Sequence, residues 1–343
     1  MLSCQISYSF SPHAATQTSD GQPSFAASTA SLSVQPEKIY DGDYGQGGVR
    51  LRIANGGAGQ SGLIGAWANA FIKYCHEQKG IAPFKVAWYL GDTTESLGYL
   101  AQGIVDIAVT YNEAAEAQAL KSKVAVNNVY GFRDHFYLVG PKCDPARLAQ
   151  CEQDALVMFN RIVSQGNQDT RIAVQTPPTD HPATRFLSRF DKSATNIKES
   201  LLFCEIGQVR RADTWYIVPW ALPYSKWYHQ YPRFPLEALE AASVLKEYTL
   251  TDRGIWLSSP PSVTSTMDIF IAGSDDKKND PLLNPAHVLL GKKAKGSDQE
   301  IWNSFMKWVV WSQGGQKIIE NFKKPDGPHG KQLYSIAPPN TDA

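Results

Sequence analysis

The chain has 343 residues, enough for two lobes of ordinary domain size rather than one small core. Apolar residues make up 43% and charged residues 19%, with Lys plus Arg and Asp plus Glu balanced at 33 each. That balance leaves no basic surface of the kind duplex nucleic acid requires, and without a run of 18 apolar residues nothing spans a membrane.

Residues 1–47 are rich in Ser, Ala, Thr, Gln and Gly and read as a flexible N-terminal tail. The first 30 have no basic start and no sustained apolar stretch, so no secretory signal is recognisable and the expected compartment is the cytoplasm. Order is expected from VRLRIA (Val49–Ala54), a strand, followed by the glycine loop NGGAGQSG and a helix from Ser61 to Glu77. That helix carries Leu63, Ile64, Trp67, Phe71, Ile72 and Cys75 at helical spacing. FKVAWYL (Phe84–Leu90) and VDIAVT (Val105–Thr110) read as the next strands, with helices through Leu100 and from Asn112 to Lys121. The β-α-β-α-β-α order calls for a parallel sheet covered by helices.

Beyond it, HFYLVG (His135–Gly140) reads as a strand, Ala146–Val163 as a helix, and RIAVQ (Arg171–Gln175) as a strand. Helices are expected near Asn196–Phe203 and Leu236–Tyr248, a strand at Met267–Gly273, an apolar run in HVLLGKK, and a long helix from Ser297. Arg210–Pro235, dense in Trp, Tyr and Pro, reads as an irregular excursion. The five cysteines contain no Cys-x-x-Cys pair, and their odd number fits a reducing compartment, with Cys143 and Cys151 the conceivable pair. Cys75, on the apolar stripe, reads as a packing residue.

Three loops carry candidate chemistry. In Asn55–Gly62, four glycines let the backbone turn and approach a ligand, while the following helix offers unpaired N–H groups: an anion cradle made without charge. The same letters, Gly57-x-Gly59-x-x-Gly62, fit a dinucleotide fingerprint, although the nearest acid after the second strand, Asp92, arrives late for the ribose. Gly91–Glu95 places Thr93 at a second helix start, as an anion donor or a plain cap. In Ser188–Glu199, Asn196 and Glu199 resemble a capping box and put a helix start just after Thr195, gathering Arg189, Ser193 and Thr195 near its N-terminus. Enzyme signatures are missing: the seven histidines, His135 among them, have no zinc-ligand spacing, and neither a nucleophile elbow nor a Walker lysine occurs.

Taken in order, RLRIANGGAGQSGLI, KVAWYLGDTTESLGYLAQGIVDIAVTYN, FRDHFYLVGPKCDP, SRFDKSATNIKES, YTLTDRGIWL, DPLLNPAHVLL and WSQGGQKIIENF resemble the tungstate-binding component of ABC-type oxyanion transporters. This is a family of the type II periplasmic-binding-protein superfamily, and the likeness is greatest to its fungal relatives. The resemblance covers Arg50 to Phe322. It implies an α/β, two-lobed fold with mixed sheets flanked by helices and a ligand cleft between the lobes. Lobe 1 would comprise 48–137 plus 281–343 and lobe 2 138–280. It further implies a non-enzymatic, monomeric binding protein whose ligand is a small oxyanion of the tungstate or molybdate class, with no cofactor besides it. An ABC permease would be the partner, and the compartment extracellular.

In bacterial members a Ser-Arg-Gly-Asp-Asp-Ser-Gly-Thr segment grips the anion through its Arg and Thr; Arg189, Ser193 and Thr195 match it, and Thr93 stands nearest to the second-loop donor. The first loop departs, with Asn55-Gly56-Gly57 in place of a Thr-Thr-Ser run, leaving backbone N–H groups and the Asn amide as donors. Fully deprotonated anions suit a site of donors, whereas hydrogen phosphate wants an acceptor, a role open to Asp92 or Asp191; Asp191 is expected instead to orient Arg189. Two alternatives stand beside this reading: a dinucleotide-dependent oxidoreductase, and a ligand-free scaffold meeting a protein partner through Trp215, Trp220, Trp227 and Tyr228.

Overall fold

The computed structural model describes residues 34–171, 182–191, 193–207, 225–277, 280–324 and 331–338. In chain order they form β1 (Lys38–Tyr40), β2 (Val49–Asn55), α1 (Gly57–Gln60), α2 (Leu63–Lys79), β3 (Lys85–Leu90), α3 (Thr93–Gln102), β4 (Ile107–Thr110), α4 (Glu113–Lys121) and β5 (Ala125–Pro141). Then come α5 (Ala155–Gln168), β6 (Phe186–Ser188), α6 (Ala194–Glu205), β7 (Tyr228–Gln230), α7 (Pro235–Leu245), β8 (Tyr248–Asp252), α8 (Arg253–Ser258), α9 (Pro261–Thr264) and β9 (Met267–Ala272). The chain closes with β10 (Leu283–Gly291), α10 (Gln299–Trp308), α11 (Gly315–Asn321), β11 (Lys323–Lys324), β12 (Lys331–Gln332) and β13 (Ser335–Ile336). Gln35–Ala343 form one compact unit, to which all that follows belongs.

β2 lies between β3 and β4, parallel to both, and its inward residues Leu51 and Ile53 have no exposure. The strand alternates apolar and Arg residues at its start, and the partly exposed Arg52 is held by Asp106 at 2.6 Å while Leu51, Ile53 and Ala54 are buried. The stripe of α2 packs on this sheet, where Trp67 and Phe71 meet Phe305 of α10 edge to face at 6.2 and 5.1 Å. Full burial of one such ring stabilises by about 2–3 kcal/mol. α2 stops at Gly80, whose φ of 65° only glycine adopts without strain.

β5 joins the two halves of the unit. Its first part pairs antiparallel with β10 from Ala125 to His135; its last part, Phe136–Pro141, pairs with β8 and β9. β8 continues in parallel to β6, and β6 to β7, giving a mixed sheet with a second parallel set. One core, around Trp67, Phe71, Phe132 and Phe305, packs against the first set; another, around Phe159, Phe186, Phe203 and Trp227, packs against the second.

Several expectations change. Lys38–Tyr40, assigned to the tail, pairs antiparallel with β3, and the Tyr40 ring covers Gly65, where a Cβ would lie 2.6 Å from it. β5 begins ten residues before the expected His135 start, because the chain from Ala125 pairs along β10 although its own sequence lacks a strand period. α5 starts at Ala155, capped by Asp154, rather than at Ala146. The stretch expected as one helix to Tyr248 ends at Leu245 and turns at Lys246 (φ 57°) into β8. Within the Trp/Tyr-rich excursion, Trp227 is 2% exposed and belongs to the core, donating its indole N–H to Asn167 (3.0 Å). RIAVQ beyond Arg171, Trp215 and Trp220 lie outside the described residues. Cys75 is buried in the core, and Cys143 and Cys151 are unbonded.

Candidate functional site

β2, β3 and β4 run parallel and end at Asn55, Leu90 and Thr110; β6 and β8 run parallel and end at Ser188 and Asp252. The loops leaving these carboxyl ends face a common cavity of about 690 Å³. A crevice outside the carboxyl ends of parallel strands is where open α/β sheets present helix N-termini to a ligand. Gly56, Gly57, Thr93, Arg189, Ser193 and Thr195 all line it.

The first loop contributes backbone. A Cβ on Gly56 would lie 3.0 Å from the Gly91 carbonyl, so the first and second loops are in contact, whereas one on Gly57 would meet nothing within 4 Å. The other two glycines have structural causes. A Cβ on Gly59 would sit 2.1 Å from the Trp88 ring, and Gly62 has φ 98°. Asn55 corrects the sequence reading. It is fully buried, donates its amide to the Val109 carbonyl (2.8 Å) and accepts the Gly59 N–H (2.7 Å), so the amide holds the loop and does not line the cavity.

At the second loop, Asp92 caps α3 in a reciprocal box: its carboxylate accepts the Glu95 N–H (2.8 Å) and Glu95 accepts the Asp92 N–H (3.0 Å). Asp92 is thereby engaged as the cap of α3, and Gly59 of the Gly57-x-Gly59-x-x-Gly62 pattern has a packing cause in the Trp88 ring. Thr93, 6% exposed, opens the helix beside the cavity.

At the third loop, α6 begins at Ala194, two residues earlier than expected. Ser193 is the cap, accepting the Asn196 N–H at 3.3 Å, and Asn196 instead donates its amide to Glu199 (2.7 Å). Asp191 accepts the Ser193 N–H (2.9 Å) through one oxygen and a guanidinium N–H of Arg189 through the other. It therefore orients Arg189, as expected of it. The Arg189 side chain is 9% exposed, and its Nε has no partner among the described residues. A buried, unused guanidinium donor is expensive unless something brought into the cavity accepts from it.

The ground beneath Arg189 is rigid. Phe190 takes a left-handed φ of 41°, which a bulky side chain rarely adopts, and its N–H is held by the Ser188 hydroxyl (3.0 Å). Ser188 donates in turn to Glu199, which also receives Asn196 and Tyr228. Burial pushes the Glu199 carboxyl up to about 8, against the hydrogen bonds that lower it.

Sequence reasoning missed the acids on the cavity floor. Asp134, in the middle of β5, and Asp252, at the end of β8, both line the cavity, with Tyr111, Asn284 and Arg233. An acid leading into the apolar run FYLVG, in FRDHFYLVG, was the available signal. Burial, and then the facing Asp252, raise the Asp134 carboxyl well above the usual range; Asp252 is raised by burial too. His135 does not line the cavity; it contacts Asp275 at 3.1 Å, and burial lowers it to about 4. No group of three metal-ligating side chains occurs among the described residues.

Known proteins resemble this chain over most of its length. A solved structure of a periplasmic protein assigned as metal-binding is 46% identical, with a TM-score of 0.74, covering 88% of this chain and 99% of that one. A Haloferax volcanii protein assigned as an ABC transporter anion-binding protein is 26% identical over 236 residues, 68% of this chain and only 57% of that protein. The tungstate-binding protein TupA of Peptoclostridium acidaminophilum is 24% identical over 244 residues, 71% of this chain and 70% of that protein. A family model described as the PBP superfamily domain matches residues 14–313, so the chain belongs to the PBP superfamily.

Proposed function

We propose that the protein is a solute-binding protein that captures a small oxyanion in this cavity, by closure of the two halves of the sheet around it. The observation that carries the reading is Arg189: a nearly buried guanidinium whose Nε has no partner among the described residues, lining the same cavity as the first turns of α3 and α6. First-turn N–H groups and helix dipoles favour an anion there, and the Thr93 and Thr195 hydroxyls add donors. An anion touching loops from both parallel sets stabilises the closed arrangement by its contacts to each.

The tungstate or molybdate class fits best. Of the relatives, one is assigned as anion-binding, one is a tungstate-binding protein and the 46%-identical one is assigned as metal-binding; a metal oxyanion unites the three descriptions. Capture without chemistry, an extracytoplasmic site of action and delivery to an ABC permease complete the reading. The periplasmic origin of the 46%-identical protein supports that compartment over the cytoplasm.

Calorimetric titration of the desalted protein with tungstate, molybdate, sulfate and phosphate tests it. The reading expects one-to-one binding of tungstate or molybdate at micromolar Kd or tighter, about −8 kcal/mol. Silence across the panel would end it.

A further inference from the structure

On the β5/β8 pair, Phe136 stands opposite Asp252. Asp134, two residues before Phe136, shares its face of the strand and is the diagonal neighbour of Asp252, a spacing that side chains bridge. Both acids line the cavity that Arg189 lines, and Asp134 is only 5% exposed. Each is half-satisfied by the backbone: Asp134 accepts the His135 N–H (2.7 Å) and Asp252 the Ile255 N–H (2.8 Å). Neither forms an ion pair with another described residue.

The groups facing the pair come from every neighbouring element. Arg253 of α8 and the Tyr111 and Tyr334 phenols surround Asp134, with Asn284 of β10 opposite it in register; Arg189 faces Asp252 from the β6–α6 loop. Burial also raises Tyr111 and Tyr334, so both phenols are neutral donors at neutral pH. The cavity is therefore acidic for an anion site. Arg189 and Arg233 share it with Asp92, Glu95, Asp134, Asp191, Glu237 and Asp252. Asp92 and Asp191 are consumed by capping and by Arg189, while Asp134 and Asp252 stand on the floor that an incoming anion approaches.

Resting on the reading of the cavity as an oxyanion site, we propose that Asp134 and Asp252 form a proton-holding carboxyl pair, so that the cleft captures a fully deprotonated oxyanion together with a proton. Two carboxylates and a dianion in one partly desolvated cavity repel one another, and protonation of a carboxylate removes that repulsion. The proton comes from bulk water and ends on a carboxylate oxygen, whose new O–H turns from acceptor to donor and faces the anion. An anion that carries its own proton, such as hydrogen phosphate, keeps it and donates a hydrogen bond to an ionised carboxylate of the pair, and so needs less from solvent. The pair thereby sets which protonation state of the ligand the site accepts.

The test is calorimetry of the full chain with tungstate from pH 6.5 to 8.5, at each pH in two buffers of different ionisation enthalpy. The expected result is uptake of up to one proton per anion bound, with affinity falling by as much as about tenfold per pH unit as pH rises. Asp134→Asn and Asp252→Asn keep an oxygen for the His135 and Ile255 N–H groups. Each should lose proton uptake on tungstate binding and flatten the pH profile of the affinity, whatever the affinity itself becomes. Buffer-independent enthalpy with a flat profile in the wild type overturns the carboxyl pair and leaves the anion site standing. Absence of tungstate binding at every pH overturns both.

Discussion

Replacement of Arg189 by Ala is the perturbation with the clearest magnitude. The side chain is 9% exposed and bonds to Asp191, while Nε is buried without a partner among the described residues. An oxyanion accepting from the guanidinium gains charge-assisted bonds worth about 1.5–3 kcal/mol each. Truncating one partner of a buried charged contact costs about 2–5 kcal/mol. The variant should therefore weaken tungstate binding by roughly thirtyfold to several thousandfold. The fold should survive, because Asp191 keeps the Ser193 N–H and Ser193 keeps its cap on α6. Arg189→Lys restores a point charge without the planar fork and should fall between the two. Calorimetry gives the affinities, and thermal melting followed by circular dichroism verifies the fold. A Kd for the Ala variant within threefold of wild type, with unchanged melting, would refute the assignment of Arg189 to the ligand.

Other consequences follow from the same geometry. Thr195→Val keeps the buried shape but deletes a hydroxyl, and should weaken anion binding by about 1 kcal/mol, a fivefold to tenfold rise in Kd, with little change in melting. Gly59→Ala forces a methyl into the Trp88 ring and should destabilise by about 2 kcal/mol or more, whereas Gly57→Ala, with open space around its Cβ, should leave the melting temperature unchanged. Glu199 holds a proton in the folded state up to about pH 8 that the unfolded chain releases near 4.5. Between those values the native state binds more protons, so stability falls as pH rises, by at most about 1.4 kcal/mol per unit from this group. Melting from pH 5 to 8 should therefore show a downward slope that is shallower in Glu199→Gln.

The early βαβ order was legible because β2 and α2 announce themselves by period: Val49, Leu51 and Ile53 at alternate positions, then Leu63, Trp67, Phe71 and Cys75 on one helix face. β1 is three residues long, too short to carry a period, and only its pairing with β3 takes it out of the tail. The apolar character of Leu236–Tyr248 hid the passage from α7 into β8, which depends on the left-handed turn at Lys246. Of the candidate site, Gly56, Gly57, Thr93, Arg189, Ser193 and Thr195 meet at one cavity, whereas Asn55 turns inward. The letter Asn cannot tell a ligand donor from a loop brace; burial and the Val109 carbonyl decide it. Asp134 and Asp252 come together only because β5 crosses from one half of the sheet to the other, a juxtaposition of residues 118 apart in sequence that no local pattern carries.

The central claim is that an oxyanion sits at Arg189 between the first turns of α3 and α6. Tungsten scatters X-rays anomalously, so a crystal grown with tungstate reports its position directly. The account predicts one strong anomalous peak within hydrogen-bonding distance, about 3 Å from peak-bound oxygen to donor, of the Arg189 guanidinium and the Thr93 and Thr195 donors. A peak elsewhere on the molecule, or an empty cleft in crystals grown at millimolar tungstate, would contradict it.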